Sequence, residues 1–267
     1  MRLSPNCLLA ESAAGDVVLG IDTGGPIGSF GVIVARHLAA SSIRSSLSHG
    51  FELPAAVDEV LEAAAVSIGD LTAIAVAIGP GSFTGLRVGL SYAKGIAAAR
   101  KIPIVGVSSL DALALCVSRE LPEGASIYPV IDARRGEIYT GLYRFVAGAL
   151  EKDSDALLVS LEHLVAGVVD DAVFVGYSVA KQAGSLARAA GRRAIVIDGG
   201  LLALRGGFVG AIGGAKVARS EADHIAQLEP LYLRPLDSGA NLRGLKLGEE
   251  TYGTPRGRTD PATARSR

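Results

Sequence analysis

Residues 71–89 read LTAIAVAIGPGSFTGLRVG, and this stretch decides the fold. The apolar run from Leu71 to Ile78 is rich in small and β-branched residues, which is typical of a buried strand. The glycine-rich turn that follows leads into residues 86–100, whose pattern predicts a helix. A strand, a glycine turn and a helix start in this order indicate an α/β protein, and such proteins often place functional groups at this turn.

The glycine turn after the strand differs from the common phosphate-binding loops. A P-loop needs a lysine and a hydroxyl directly after its last glycine, but Leu86 and Arg87 follow Gly85. A dinucleotide fingerprint needs a third glycine at the position that Thr84 occupies. The backbone N–H groups at the helix start are still able to hold an anion. We favour a tight strand-to-helix turn in which Ser82 or Thr84 caps the helix.

Small residues recur every four positions along the predicted helix, at Gly85, Gly89, Ala93 and Ala97. They form one ridge on the helix surface, on which another backbone can approach closely. Each glycine costs about 1 kcal/mol of helix propensity relative to alanine, so a compensating contact is expected. Two contacts remain open at this point: close packing on the protein's own sheet, and helix packing against another subunit.

The predicted elements follow one another in the order strand, strand, strand, helix, strand, helix, strand, helix. The strands are predicted at residues 17–22, 29–34, 41–48, 71–78 and 102–107, and the helices at 54–65, 86–100 and 108–119. This is the order of elements in the ribonuclease-H-like half of actin-like ATPase folds.

A second half is predicted to begin at residues 126–132, SIYPVID, which repeat the pattern of residues 17–22, VVLGID. Both stretches are apolar strands that end on an aspartate, which indicates a coarse internal repeat. The remaining elements are predicted as strands at 138–145, 172–175 and 194–197 and as helices at 161–169, 178–190 and 201–218. The predicted fold class is therefore α/β, a two-lobed actin-like ATPase (ribonuclease-H-like) fold with mixed sheets flanked by helices.

The same pattern predicts the domain organisation. In chain order the predicted domains are an N-terminal extension (1–16), a first lobe (17–120, joined by a return helix at 200–219), a second, degenerate lobe (121–199 and 220–245) and a disordered tail (246–267). The tail is assigned from its composition, which turns to Thr, Pro, Gly, Arg and Asp from about Gly248.

The composition excludes several function classes. The chain has 267 residues and a net charge of −1, so no bulk electrostatic attraction to nucleic acid or to an anionic membrane is expected. Aromatic residues make up 5% of the sequence, which argues against a base-stacking surface. Cys7 and Cys116 match no C-x-x-C pattern, and reduced thiols in a cytosolic protein are expected. No run of 18 apolar residues occurs, so we expect no membrane span.

Asp22 and Asp132 end the first strands of the two predicted halves. In an active actin-like ATPase such carboxylates organise Mg²⁺ and water. Neither aspartate is followed by a convincing phosphate-binding hairpin with a threonine or lysine partner. A stand-alone actin-like ATP-binding hydrolase or kinase that acts at Asp22 remains the alternative function.

Other catalytic motifs are missing. The histidines, at positions 37, 49, 163 and 224, form no pair at i, i+4 spacing, so an H-E-x-x-H zinc site is not expected. The Gly-Pro-Gly-Ser-Phe turn is not the G-x-S-x-G elbow of serine hydrolases. Arg134 and Arg135 are able to contact RNA, although two solvated turn arginines are the simpler interpretation.

Five segments together resemble, in order, the landmarks of the TsaB (YeaZ) family. They are GIDTGG (20–25), AIGPGSFTGLRVGLSYAKGIA (77–97), IVGVSSLDAL (104–113), DARRGEIYTGLY (132–143) and PLYLRP (230–235). The resemblance extends over about Val17 to Pro235 and implies the two-lobed actin-like fold, in agreement with the order of the elements. It also implies a function as the non-catalytic partner of the bacterial enzyme that makes N6-threonylcarbamoyladenosine next to the tRNA anticodon.

The resemblance further implies how this partner works. The family's helices before and after the glycine turn form a helical bundle with the catalytic subunit TsaD, and the same surface can form a homodimer. The implied interface residues are Gly81, Ser82, Phe83, Thr84, Gly85, Arg87, Val88, Gly89 and Ala93. No intrinsic cofactor, metal or catalytic residue is implied, and ATP and metal are expected on the partner subunit. A TsaE-like ATPase is a further implied partner, tRNA contact is expected only through the complex, and the location is expected to be cytoplasmic.

The sequence departs from the family at two places. Gly24 and Gly25 follow Asp22-Thr23, where the family usually has Ser or Ala. The segment SHGFELP (48–54) lacks the usual H-S-x-x-L-L-P spacing, which puts an equivalent role for His49 in doubt.

Overall fold

A computed structural model of the chain describes residues 2–3, 15–35, 37–44, 52–117, 121, 123–147, 149–168, 172–176, 194–197 and 204–233. The strands are β1 (Arg2–Leu3), β2 (Val17–Asp22), β3 (Gly28–Val34), β4 (His37–Arg44), β5 (Ala73–Gly79), β6 (Ile104–Ser108), β7 (Ser126–Arg134), β8 (Glu137–Thr140), β9 (Tyr143–Val146), β10 (Ala149–Lys152), β11 (Leu157–Ser160), β12 (Ala172–Gly176) and β13 (Ala194–Ile197). The helices are α1 (Glu52–Ala63), α2 (Phe83–Arg100), α3 (Ser109–Val117), α4 (Leu161–Gly167) and α5 (Arg205–Ala218), with a short 3₁₀ turn at Ile68–Asp70.

The first sheet has the strand order β4-β3-β2-β5-β6. Strand β2 pairs antiparallel with β3 and parallel with β5, and β5 pairs parallel with β6. Because side chains alternate along a strand, the two faces of this sheet have different partners. Val18 and Ile33 pack in one hydrophobic cluster with α3 and α5, whereas Leu19, Ile21 and Phe30 pack in another with α1 and α2.

The second sheet has the order β1-β10-β9-β7-β12-β13, and β8 links β7 to β11. The first residues of β7 pair with β9, and its last residues pair with β8, with a register shift between Asp132 and Arg134. Residues 138–145, predicted as one strand, are therefore divided between β8 and β9 by Gly141 and Leu142. Ile127 and Tyr143 of this sheet join the cluster that contains α3 and α5, so those helices lie between the two sheets.

Most predicted elements are present, with shifted ends. Strand β2 has the predicted bounds, α1 begins two residues earlier than predicted, and α2 begins at Phe83 rather than Leu86. Strand β4 lies at His37–Arg44, whereas the prediction was residues 41–48. Strands β1, β10 and β11 were not predicted, and β1 lies in the stretch predicted as an N-terminal extension. The predicted helix at 178–190, His49 and the predicted tail lie outside the described residues.

The backbone of helix α5 contacts the backbone of the first sheet directly at two strand glycines. A Cβ atom added to Gly20 of β2 would lie less than 3.0 Å from the Gly206 carbonyl oxygen and from the Gly210 backbone. A Cβ on Gly31 of β3 would lie equally close to the Gly207 backbone. The glycines that interrupt the helix pattern are therefore what allow this close approach.

The segment after α5 contacts the first sheet. The Asp223 N–H donates a hydrogen bond to the Ile104 carbonyl oxygen (2.9 Å), and the Asp223 carboxylate accepts one from the Gly106 N–H (2.7 Å). Leu231 donates to the Ile78 carbonyl oxygen (2.7 Å). These contacts place residues 223–231 beside β5 and β6, which corrects their assignment to the second lobe. The other domain boundaries stay predictions.

Candidate functional site

Asp22 ends β2 on the side of the first sheet that α5 covers, and it is fully buried. Its Oδ2 atom forms an ion pair with Nη1 of Arg205 at 2.9 Å, and Arg205 is only 1% exposed. Arg205 also donates a hydrogen bond from Nη2 to the Ile27 carbonyl oxygen (3.1 Å). The Asp22 Oδ1 atom accepts a hydrogen bond from the Gly24 N–H (2.9 Å). The carboxylate is therefore held by groups of the chain itself.

The Asp22–Arg205 ion pair bears directly on the alternative function. An actin-like ATPase uses this carboxylate to organise Mg²⁺ and water. Here the guanidinium of Arg205 occupies the position next to the carboxylate, and a metal would have to displace a buried ion pair. The residues present do not fit a magnesium–nucleotide site at Asp22.

Sequence reasoning did not find Arg205. An arginine at the start of a glycine-rich helix is usually interpreted as an exposed helix end. The available signal was indirect: Asp22 ends a strongly apolar strand, and a buried carboxylate needs a counter-charge. The glycines after Arg205 were the second indication, since they let the helix start come close to the sheet.

The glycine turn is hydrogen-bonded to the turn that follows β2 (residues 23–27), which we call the β2 turn. The Ser82 N–H donates to the Gly24 carbonyl oxygen (2.8 Å), and the Thr23 hydroxyl donates to the Gly85 carbonyl oxygen (2.7 Å). The Ser82 hydroxyl oxygen accepts a hydrogen bond from the Gly85 N–H (3.3 Å), which confirms Ser82 as the helix cap. Two backbone donors at this helix start are thus already used within the chain, which weakens the anion-site interpretation.

The small-residue ridge of α2 faces the interior. An added Cβ on Gly85 or Gly89 would lie less than 3.0 Å from Thr23, and one on Gly81 would lie equally close to Gly24. Ala93 is completely buried. The compensating contact for these small residues is therefore the protein's own β2 turn and core. This corrects the expectation that the ridge of α2 meets another subunit.

We expect Gly89→Ala to lower the free energy of unfolding by about 1–3 kcal/mol, because the new methyl group overlaps the Thr23 side chain. Urea denaturation of the chain alone measures the loss. The double variant Gly89→Ala/Thr23→Ala removes the overlapping hydroxyl and should recover part of it. An unchanged stability of Gly89→Ala would contradict the inward orientation of the ridge.

The other predicted interface residues lie on the outside of α2. Ser82, Phe83, Thr84 and Arg87 are exposed, and Val88 is half-buried. A shallow groove of about 400 Å³ lies beside them and is lined by Leu53 of α1 and by Arg87, Val88, Ser91 and Tyr92 of α2. We call this groove and the exposed sides of the two helices the α1–α2 face. Its role in partner binding stays a prediction.

The exposed charged residues of α1 are acidic, and those of α2 are basic. The exposed acidic residues of α1 are Glu52, Asp58, Glu59 and Glu62. Helix α2 exposes Arg87 and Arg100 and contains no acidic residue. Glu59 is already ion-paired with Arg44 of β4, and Arg100 donates a hydrogen bond to the Gly69 carbonyl oxygen. A partner helix on this face would therefore meet acidic side chains from α1 and the Arg87 guanidinium from α2.

The remaining candidate groups show no catalytic arrangement. Burial raises the pKa of the Cys116 thiol to about 12, so this cysteine is not a nucleophile at neutral pH. Asp132 is exposed and its Oδ1 atom accepts a hydrogen bond from the Arg134 N–H (2.7 Å). Arg134 and Arg135 are exposed in the β7–β8 turn. Within the described part of the chain, no group of three His, Cys, Asp or Glu residues is placed to hold a metal ion.

The helices of the described residues include none that is long and apolar enough to cross a membrane. The expectation of a cytoplasmic location stays a prediction.

Comparison with known proteins identifies relatives of the chain. A family model described as TsaD: tRNA N6-adenosine threonylcarbamoyltransferase matches residues 43–191, which is more than half of the chain. The tRNA threonylcarbamoyladenosine biosynthesis protein TsaB of Bacillus subtilis (strain 168) is 42% identical over 105 residues, which are 39% of this chain and 44% of that protein. The protein of the same name from Escherichia coli (strain K12) is 39% identical over 89 residues, which are 33% of this chain and 38% of that protein. The chain spans less than half the length of these two curated relatives.

Among solved structures, YeaZ from Pseudomonas aeruginosa matches with a TM-score of 0.68 and 25% sequence identity, over 82% of this chain and 100% of that chain. This match confirms the predicted actin-like fold class, and the TsaB relatives confirm the predicted resemblance. The chain belongs to the family described as TsaD: tRNA N6-adenosine threonylcarbamoyltransferase, and the members that it resembles are the TsaB (YeaZ) proteins.

Proposed function

We propose that the chain is a non-catalytic subunit that binds and activates a TsaD-type catalytic subunit. The catalytic subunit then carries out N6-threonylcarbamoylation of the tRNA adenosine adjacent to the anticodon. Membership of the family and the names of the TsaB relatives support a role in threonylcarbamoyladenosine biosynthesis.

The observation that carries the non-catalytic part of the proposal is the Asp22–Arg205 ion pair. It uses the carboxylate that an actin-like ATPase needs for Mg²⁺, while the rest of the fold is retained. A chain that keeps the fold but pairs this carboxylate with an arginine is better suited to binding a related subunit than to hydrolysing ATP.

The α1–α2 face supports the partner-binding part. It combines an apolar groove between two helices with acidic side chains on α1 and basic ones on α2, which suits a helix of another protein. We propose this face as the contact with the TsaD-type subunit. The inward orientation of the ridge leaves the outer residues Phe83, Thr84, Arg87 and Val88 as its α2 contribution.

Cofactors and further partners follow from the same proposal. ATP and metal belong to the TsaD-type subunit, and a TsaE-like ATPase joins the complex. Tests of tRNA binding should therefore use the complex, since the chain alone has a net charge of −1. A homodimer through the same face is the competing resting state.

The test is binding of the purified chain to the TsaD-type subunit encoded in the same genome, measured by light scattering, together with a tRNA modification assay. Ser91 lies exposed in the groove, so Ser91→Arg should block the groove without unfolding the chain. We expect at least about a tenfold loss of affinity, since a bulky charge at the centre of an interface disturbs its packing.

Leu157→Arg is the matched control, because it adds the same side chain at a 47% exposed position of β11 in the second sheet. It should bind like the wild-type chain. Unchanged binding by Ser91→Arg would contradict the proposed face. Tight, Mg²⁺-dependent ATP binding by the chain alone, lost in Asp22→Ala, would favour the hydrolase or kinase alternative.

A further inference from the structure

An aromatic and cationic cluster lies at one end of the α1–α2 face. Phe83 and Arg87 are four residues apart on α2, and Tyr232 comes from the segment after α5. The guanidinium carbon of Arg87 lies 3.8 Å from the centroid of the Phe83 ring and 5.9 Å from that of Tyr232. The two rings are 5.4 Å apart. The cluster therefore includes Tyr232 from the segment after α5, which was not predicted to lie at this face.

The cluster holds Arg87 in one orientation. Its Nε group donates a hydrogen bond to the Tyr232 hydroxyl (3.0 Å), and its guanidinium carbon lies over the Phe83 ring. A guanidinium has five N–H donors, and Nε uses only one of them. The Nη groups, which carry the other four, are the edge that binds a carboxylate with two parallel hydrogen bonds. Stacking therefore positions Arg87 before any partner arrives.

The cluster is exposed, and its charge is not balanced nearby. Phe83 is 41% exposed, Tyr232 39% and the neighbouring Leu231 37%. In the part of the chain that the structure describes, no carboxylate forms an ion pair with Arg87. Arginine and tyrosine beside exposed apolar residues are the composition of an interface hot spot.

Charge complementarity determines the chemistry of the occupant. An oriented cation surrounded by apolar rings favours a carboxylate on a partly apolar surface over a neutral or basic group. Helix α2 contains no acidic residue that could neutralise this charge. We propose that Arg87, oriented by Phe83 and Tyr232, binds a carboxylate on a helix of the TsaD-type subunit. This inference rests on the proposed function and adds Tyr232 as a positioning residue.

The experiment is calorimetric titration of the TsaD-type subunit into the chain and its variants at two salt concentrations. Arg87→Met should weaken binding by about tenfold or more and reduce the salt dependence of the dissociation constant. Arg87→Lys keeps the charge but loses the paired hydrogen bonds, so its affinity should lie between those of Arg87→Met and the wild-type chain. Tyr232→Phe keeps the ring and removes the acceptor for Nε, and it should weaken binding by about threefold.

Arg134→Met is the matched control, because it removes one exposed charge from the β7–β8 turn of the second sheet. It should change the affinity less than about twofold. Equal losses in Arg87→Met and Arg134→Met, or wild-type affinity of Arg87→Met, would overturn the assignment. Sedimentation of the chain alone tests a second copy as occupant: loss of a homodimer in Arg87→Met with unchanged binding to the TsaD-type subunit would also overturn it. If the wild-type chain does not bind that subunit at all, the proposed function fails and this assignment falls with it.

Discussion

Replacing Arg205 with methionine is expected to lower the free energy of unfolding by about 3–5 kcal/mol. The substitution keeps a long aliphatic side chain but leaves the Asp22 carboxylate without its counter-charge. Both residues are almost completely buried, and the ion pair has an N–O distance of 2.9 Å. Leaving a buried charge without its partner causes one of the largest losses of stability that a single substitution produces. Urea denaturation followed by circular dichroism measures the effect.

The matched control is the double variant Asp22→Asn/Arg205→Met, which removes both charges. Replacing a buried ion pair by neutral groups is often close to neutral, so the double variant should recover much of the loss. A small effect of Arg205→Met alone would show that water reaches Asp22. In that case the Asp22 carboxylate would be open to a metal ion.

We expect Gly20→Ala to lower the free energy of unfolding by about 3 kcal/mol or more and to lower the yield of folded protein. The new methyl group would lie less than 3.0 Å from the Gly206 carbonyl oxygen and the Gly210 backbone. These are main-chain atoms inside α5, so no side chain can rotate away. Accommodation would require α5 to move off the first sheet, which would also pull Arg205 away from Asp22. The measurement is thermal or urea unfolding of the purified chain.

Gly95→Ala is the control for this experiment. Gly95 lies in the exposed part of α2, and nothing lies within 4 Å of the position that its Cβ would take. Removing a helix glycine should therefore raise the free energy of unfolding by about 0.5–1 kcal/mol. A loss in Gly20→Ala no larger than about 0.5 kcal/mol would contradict the close packing of α5 on β2.

Much of the first half could be predicted from the sequence, because its elements have clear periodic patterns. Strand β2, helix α2 and its cap Ser82 follow from apolar runs and from a single hydroxyl at a glycine turn. The second half was less predictable. Strands β8 to β11 have four residues each, which is too short for a periodic signal to separate strand from loop.

The candidate site was predicted only in part. The sequence located the α2 residues of the proposed interface, since the family's motif lies there. It could not locate Tyr232, which is 145 positions from Arg87 in the chain. Contacts between distant segments depend on the path of the chain, and local patterns carry no information on that path.

The sequence by itself determined the fold class, the family resemblance and the positions of most helices and strands in the first sheet. Local propensity and periodicity are properties of neighbouring residues, so they can be read without a structure. Only the tertiary structure decided that the α2 ridge faces inward and that Asp22 forms a buried ion pair with Arg205. Gly85 and Gly89 allow close approach equally well to a partner or to the chain's own β2 turn. The choice depended on where Thr23 and α5 lie in three dimensions, because a small residue specifies close contact but not the identity of what it contacts.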